Sequence, residues 1–315
     1  MIGRLLDTAM DRTVAPGYSK IGLALRKRLP DWPADPQPHA LRGHHVLVTG
    51  ATSGLGVATA DGILALDGHV HMVVRDPAKA AGVRDDLIRK HPEAVITVWR
   101  CDVADLDDVR RFVGEFLEAG VELHAVLHNA GAMPQRRTES KQGHELTMAL
   151  HVLGPVAMTE ALLPTLAPGA RVVMVTSGGM YAQALRDDDP EYLKGEYAPT
   201  TAYARSKRAQ VELLPVLQER WTWANVYATH PGWADTPGVQ ESLPTFRKLT
   251  GPILRDAAGG ADTTVWLAGA EPAPTGGGLW HDRRTRPTSM RRKTVPTDAQ
   301  RQRVWEWVRD AAGLE

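Results

Sequence analysis

From His44 onward, short valine-rich apolar runs alternate with segments long enough for helices, and this alternation limits the fold more than any other feature of the chain. Runs suited to buried parallel strands lie at about 45–49, 69–74, 94–99, 124–128, 171–176 and 225–230. Helix-length segments at 54–67, 77–90, 105–119, 141–166 and 202–223 separate them, and a strand near 276–281 and a helix near 297–312 close the pattern. Such units require right-handed crossovers and place helices on both faces of one sheet. The expected fold is therefore α/β, a doubly wound parallel sheet forming a single domain over 44–315, with no internal repeat.

Residues 1–43 read as a basic extension followed by the proline-rich linker Pro30-Asp31-Trp32-Pro33-Ala34-Asp35-Pro36-Gln37-Pro38. Ile21, Leu25 and Leu29 share one helical face with cations nearby. That stripe fits a helix packed on its own domain or, alternatively, peripheral membrane contact through residues 15–29. The basic runs Arg283-Arg284-Thr285-Arg286 and Arg291-Arg292-Lys293 read as solvated loops.

Composition excludes several classes. A net charge of zero gives no electrostatic case for nucleic acid. The single cysteine, Cys101, allows no intrachain disulfide and follows an apolar run, as an inert core thiol does. The 12 histidines show no metal-ligand spacing, so no metal is expected. No run reaches the ~18 apolar residues of a membrane span, the N-terminus lacks a signal-peptide core, and a cytoplasmic protein is the default expectation.

The first strand runs into Gly50-Ala51-Thr52-Ser53-Gly54-Leu55-Gly56, and a helix follows. A glycine turn in this context lets the backbone approach a pyrophosphate, whose charge the helix N-terminus stabilises. This is the nucleotide-binding turn of a Rossmann-type sheet. The end of the second strand discriminates NAD from NADP. A carboxylate there would hold the ribose hydroxyls and repel a 2′-phosphate. The chain has Val74 and then Arg75, whose guanidinium suits a phosphate, so NADP(H) is expected over NAD(H). Asp76 reads as the N-cap of a helix starting at Pro77; the alternative is that it reads the ribose of NAD.

Tyr203-Ala204-Arg205-Ser206-Lys207 is the strongest chemical signal, because residues four apart on a helix act on one small volume. A nearby ammonium makes a phenol a better acid/base, and Ser177, at the end of the 171–176 strand, is placed to hold a substrate oxygen.

Together these motifs resemble the short-chain dehydrogenase/reductase family over nearly the whole chain. Asn129-Ala130-Gly131 is similar to the family's turn after the fourth strand, and Asp102-Val103 to its adenine contact. Pro231-Gly232 with Thr236 is similar to the segment receiving the nicotinamide carboxamide. The resemblance implies a sheet of about seven strands in the order 3-2-1-4-5-6-7. It also implies catalytic roles for Ser177, Tyr203 and Lys207, an alcohol or carbonyl substrate, and a homo-oligomer such as relatives commonly form. Ser177-Gly178-Gly179-Met180 and the run His230 to Val239 resemble a branch near the retinol dehydrogenases, which points to an apolar substrate. The stretch between Ser177 and Tyr203 is expected to border that substrate, through Met180, Tyr181, Leu185, Tyr192, Leu193 and Tyr197, although Asp187-Asp188-Asp189 lies among them. One departure stands out: His151 occupies the place of the family's asparagine, which is associated with a water linking the lysine to solvent. His151 is thus the candidate to carry that relay. Two other readings remain: a nucleotide-binding or redox-sensing module without turnover, and a membrane-surface interaction protein.

Overall fold

The structure, a computed structural model, describes residues 2–13 and 15–314. Among the described residues eight strands form one sheet: β1 (His45–Thr49), β2 (His69–Val74), β3 (Ile96–Arg100), β4 (Leu123–His128), β5 (Leu166–Val175), β6 (Ala224–Thr229), β7 (Gly278–His281) and β8 (Arg284–Arg286). Their order is β3-β2-β1-β4-β5-β6-β7-β8, parallel throughout except for antiparallel β8. Alternation along each strand sends side chains to opposite faces. Val46 and Val48 join a core with the helices Gly54–Leu64 and Ala257–Gly269. Leu47 joins the other, with Leu106–Glu118, Gly154–Leu162 and Asp298–Ala312. Every parallel strand ends toward one edge of the sheet, and the polar chemistry collects there.

The eighth strand corrects the expectation of a solvated basic loop at 283–286. Asp282 and Arg283 both have positive φ, 50° and 56°, the conformation of a two-residue hairpin turn. Arg283 and Arg286 are buried, because acids distant in sequence neutralise them. Arg283 pairs with Asp262 and Asp35, and Arg286 with Asp7 through bonds of 2.8 and 2.9 Å. Arg291, Arg292 and Lys293 are exposed, as expected.

The N-terminal segment packs along the β7–β8 edge. Arg26 is 0% exposed and donates to Asp7 Oδ1 (2.6 Å), Gly17 O (2.5 Å) and Asp282 Oδ2 (2.6 Å). Tyr18 stands edge-on to His230 and His281. In the helix Lys20–Arg26, Leu23 and Arg26 face the body, while Ile21 and Leu25 are 49% and 46% exposed. Farther along, Trp266 Nε1 donates to Ala34 O (2.9 Å) and Arg283 to Pro33 O, which ties the proline-rich segment down.

Two more expectations are revised. The helical run Leu146–Thr165 is long and apolar enough to cross a membrane by composition alone, although two-thirds of it is buried within the protein, as in a core helix. The histidines, unremarkable in spacing, are gathered by strand register: His45 pairs opposite His69, and His71 follows on the same face.

Buried histidines make the fold acid-sensitive. His128 Nε2 donates to Thr159 Oγ1 (2.7 Å), which itself donates to Pro155 O, while His128 Nδ1 has no partner among the described residues. Burial lowers its pKa from 6.5 to about 3. A base depressed on folding contributes stability that is complete above the unfolded pKa and is lost as pH falls from about 6.5 toward 3. At pH 5 the loss from this residue is about 2 kcal/mol. His128→Asn should flatten the fall in Tm between pH 7.5 and 5, and an unchanged slope would refute the assignment.

Candidate active site

The helix Gly54–Leu64 begins at the end of β1, and its N-terminus opens into a cavity of about 410 Å³. Gly50 (φ 68°) and Gly54 (φ 50°) adopt left-handed backbone, and with Thr52, Ser53 and Leu55 they line this cavity. Gly56 lies beneath it, where a Cβ would sit 2.2 Å from Gly50 O. The helix has no acidic residue in its first turn and no side-chain cap, so the positive end of its dipole is left unneutralised beside the cavity, as suits an anion.

Asn129 braces the turn. Its Nδ2 donates to Thr49 O (3.1 Å), and the Asn129 and Ala130 N–H groups both donate to Thr49 Oγ1 at 3.0 Å. Ala130 and Gly131 continue the wall. At the ends of β2 and β3 the cavity is lined by Val74, Arg75, Cys101, Asp102 and Val103. Asp76 is committed to capping, since Oδ1 accepts from Ala78 N (3.0 Å) and Lys79 N (3.1 Å). Arg75, by contrast, is exposed at the rim. Burial pushes the Cys101 thiol up to about 12, which keeps it inert.

At the other end Ser177, Tyr203 and Lys207 meet. Ser177 follows β5, and its Oγ accepts from Gly179 N (3.2 Å). Tyr203 and Lys207 project from the helix Pro199–Glu212, with Lys207 Nζ 5.6 Å from the Tyr203 ring centroid. Lys207 Nζ donates to Val175 O (2.8 Å), and Thr176 Oγ1 to Lys207 O (3.0 Å), so strand and helix hold the triad in register. Burial pushes the Tyr203 phenol up to about 12, partly offset by a hydrogen bond with Ser177. Burial also pulls the Lys207 ammonium down to about 7. Pro231, Gly232 and Thr236 cover this end. Gly232 (φ 73°) has no room for a side chain, because its Cβ would lie 2.6 Å from Arg255 and from Tyr18 O.

His151 does not line the cavity. Its Nε2 accepts from Ala132 N (3.2 Å), which puts the ring proton on Nδ1 facing Ser206 Oγ (2.8 Å). Ser206 in turn donates to Tyr203 O (2.8 Å), and Gln210 Nε2 takes the His151 carbonyl (2.7 Å). Both ring nitrogens are engaged within the protein, so the imidazole is not free to hold a relay water, while the carbonyl that accepts from Gln210 keeps a second lone pair. It is instead a strut between the turn after β4 and the helix bearing Tyr203, in a π-helical turn, Ala149–Leu153.

The stretch 180–197 also departs from expectation. Met180, Tyr181, Leu185 and Tyr192 are buried away from the cavity, and Leu193 points outward. Tyr197 donates to Glu145 Oε1 (3.1 Å). The three aspartates are structural: Asp187 binds Arg303 and Gln300, Asp188 binds Arg186, and Asp189 takes the Leu193 and Lys194 N–H groups. The pocket wall beyond Ser177 comes instead from Met133 and the short helix Pro237–Ser242 with Leu243. The proline after Thr236 was the available signal for that helix, which Thr236 caps through Val239 N (3.4 Å).

A parallel sheet with a glycine turn, an anion-ready helix terminus and a serine, tyrosine and lysine at one end of the cavity is the architecture of a nicotinamide-linked oxidoreductase. Comparison with known proteins agrees. The short chain dehydrogenase profile matches residues 44–188. Bovine dehydrogenase/reductase SDR family member 12 is 37% identical over 282 residues, 87% of this chain and 86% of that protein. Zebrafish polyprenol dehydrogenase is 32% identical over 80% of each chain. A solved structure of an uncharacterised protein from Mycobacterium paratuberculosis matches with TM-score 0.70 at 25% identity, covering 89% of this chain and 98% of that one. The chain belongs to the short-chain dehydrogenase/reductase family.

Proposed function

We propose that the protein is an NADP(H)-dependent alcohol dehydrogenase or carbonyl reductase acting on a largely apolar small molecule. The observation that carries this reading is the convergence of Ser177, Tyr203 and Lys207 at one end of the nucleotide cavity. The nicotinamide supplies the hydride chemistry. Ser177 Oγ orients the substrate oxygen, and Tyr203 delivers the proton to that oxygen in the reductive direction. A phenol at about 12 keeps its proton at neutral pH, which suits donation. Lys207 holds the nicotinamide ribose, and its protonated form favours the phenolate left after transfer. Met133, Val239 and Leu243 give the substrate end an apolar wall, in keeping with a relative named for a polyprenol. A screen of alcohols and carbonyls with both cofactors, followed at the nicotinamide absorbance, tests the reading. Cofactor binding without turnover on any of them would favour the nucleotide-binding module.

Arg75 underlies the cofactor preference, since it is the exposed cation at the rim and the neighbouring carboxylate is occupied in capping. Losing one charge-assisted phosphate contact costs about 1.5–3 kcal/mol, or roughly tenfold or more in affinity. Arg75→Ala should therefore weaken NADPH binding by that factor and leave NADH binding unchanged. Equal affinity of the wild type for both cofactors would remove the basis for this assignment.

A peripheral membrane contact is favoured by one observation. The outward face of the helix Lys20–Arg26 carries exposed Ile21 and Leu25 beside exposed Lys20, Lys27 and Arg28, a pattern that suits an anionic lipid surface. Cosedimentation with anionic vesicles, lost in an Ile21→Ser, Leu25→Ser double variant, is the expected result.

A further inference from the structure

We propose that His45, His69 and His71 form a binding site for a divalent transition-metal ion, with Zn²⁺ as the reference case, that ties together the starts of β1 and β2. The site lies at the far end of these strands from the nucleotide cavity, five residues or about 17 Å from Gly50 along β1.

Geometry comes first. Parallel pairing puts His45 opposite His69, and the two-residue period of a strand returns His71 to the same face. One nitrogen from each imidazole lies within 4.8 Å of the other two, and His45 Nδ1 is 2.9 Å from His71 Nε2. Tetrahedral Zn–N bonds of about 2.0–2.1 Å place ligand nitrogens about 3.4 Å apart, so rotations of the rings close the site without moving the sheet. His71 is 1% exposed, while His45 and His69 are half-buried, which leaves an entry and a place for a water as fourth ligand. All three donors are imidazole nitrogens, a set that suits Zn²⁺, Ni²⁺ and Cu²⁺ and is unfavourable to Mg²⁺ or Ca²⁺.

The hydrogen bonds specify what binding must change. Trp99 Nε1 can only donate, and it donates to His71 Nδ1 at 3.0 Å. The proton of neutral His71 is therefore on Nε2, directed at His45 Nδ1. The His45 lone pair already points into the site. His71 ligates once its proton moves from Nε2 to Nδ1, a change of tautomer with no net proton release. A protonated Nδ1 no longer accepts from Trp99, so the indole loses that partner. Metal binding is thereby coupled to the surroundings of Trp99.

The test uses the untagged full-length chain, stripped of metal and titrated with ZnCl₂ by calorimetry, with Tm and tryptophan emission recorded alongside. One Zn²⁺ per chain is expected, with a raised Tm and altered emission. His45→Ala and His69→Ala should each weaken binding at least tenfold, and His69→Gln serves if the alanine variant folds poorly. NADPH binding in these variants should match the wild type, because neither residue borders the cavity. Trp99→Phe should bind Zn²⁺ at least as tightly and lose the emission change. Substoichiometric binding by the wild type, or affinity retained within about threefold in the histidine variants, overturns the proposal.

Discussion

Tyr203→Phe is expected to lower turnover by about 10²–10⁴-fold while cofactor affinity stays at the wild-type value. The substitution keeps the ring, its edge-on contact with His151 and the helix Pro199–Glu212. It removes only the hydroxyl, the group placed to pass a proton to the substrate oxygen. Ser177 remains held by Gly179 N, so substrate orientation survives and the loss falls on the proton transfer. Turnover number, NADPH affinity and Tm measured together check the result. Activity above a tenth of wild type would exclude Tyr203 as the acid/base.

The second large effect is structural. Asp282 is 1% exposed and accepts from Arg26 Nη1 (2.6 Å), Arg255 Nη1 (2.6 Å) and Arg255 Nη2 (2.9 Å). Burial opposes its ionisation, yet Arg255 and Arg26 hold the carboxyl below its usual range. Asp282→Asn preserves shape and tolerates the positive φ at this position, so it isolates the charge. It leaves two buried guanidinium groups short of their shared counter-ion. Breaking a buried pair in this way costs about 3–5 kcal/mol. For a chain of this size Tm should fall by roughly 5–8 °C. Arg255 also lies against Gly232, so NADPH affinity should weaken in the same variant. A loss below about 1 kcal/mol by denaturant titration would contradict this account.

What was legible in the sequence was local. The glycine turn, the spacing from Tyr203 to Lys207 and the Asp76 cap each lie within a few residues, and their geometry follows from one turn or one helix. The strand runs were legible because parallel strands are buried on both faces. The rest depends on partners far along the chain. A basic run at 283–286 looks solvated until Asp7, Asp35 and Asp262 are seen beside it. His151 looked like a polar relay because its family position suggested one, and only the fold shows Ala132 and Ser206 on its two nitrogens. Asp282-Arg283 lacks the Asn-Gly signature of a tight hairpin, so β8 left no local trace.

The ionic cluster at Asp282 also has a bearing on how the chain is made. Arg26 and Asp282 are 256 residues apart, and Asp7 and Arg286 are 279. At about 5–20 residues per second, roughly 10–50 s pass between the emergence of Arg26 from the ribosome and that of Asp282. Throughout that interval the first helices lack both the β7–β8 edge they pack on and the anion that holds them. A nascent chain stalled before residue 282 should therefore expose its N-terminal segment to protease, and the release of some thirty further residues should protect it.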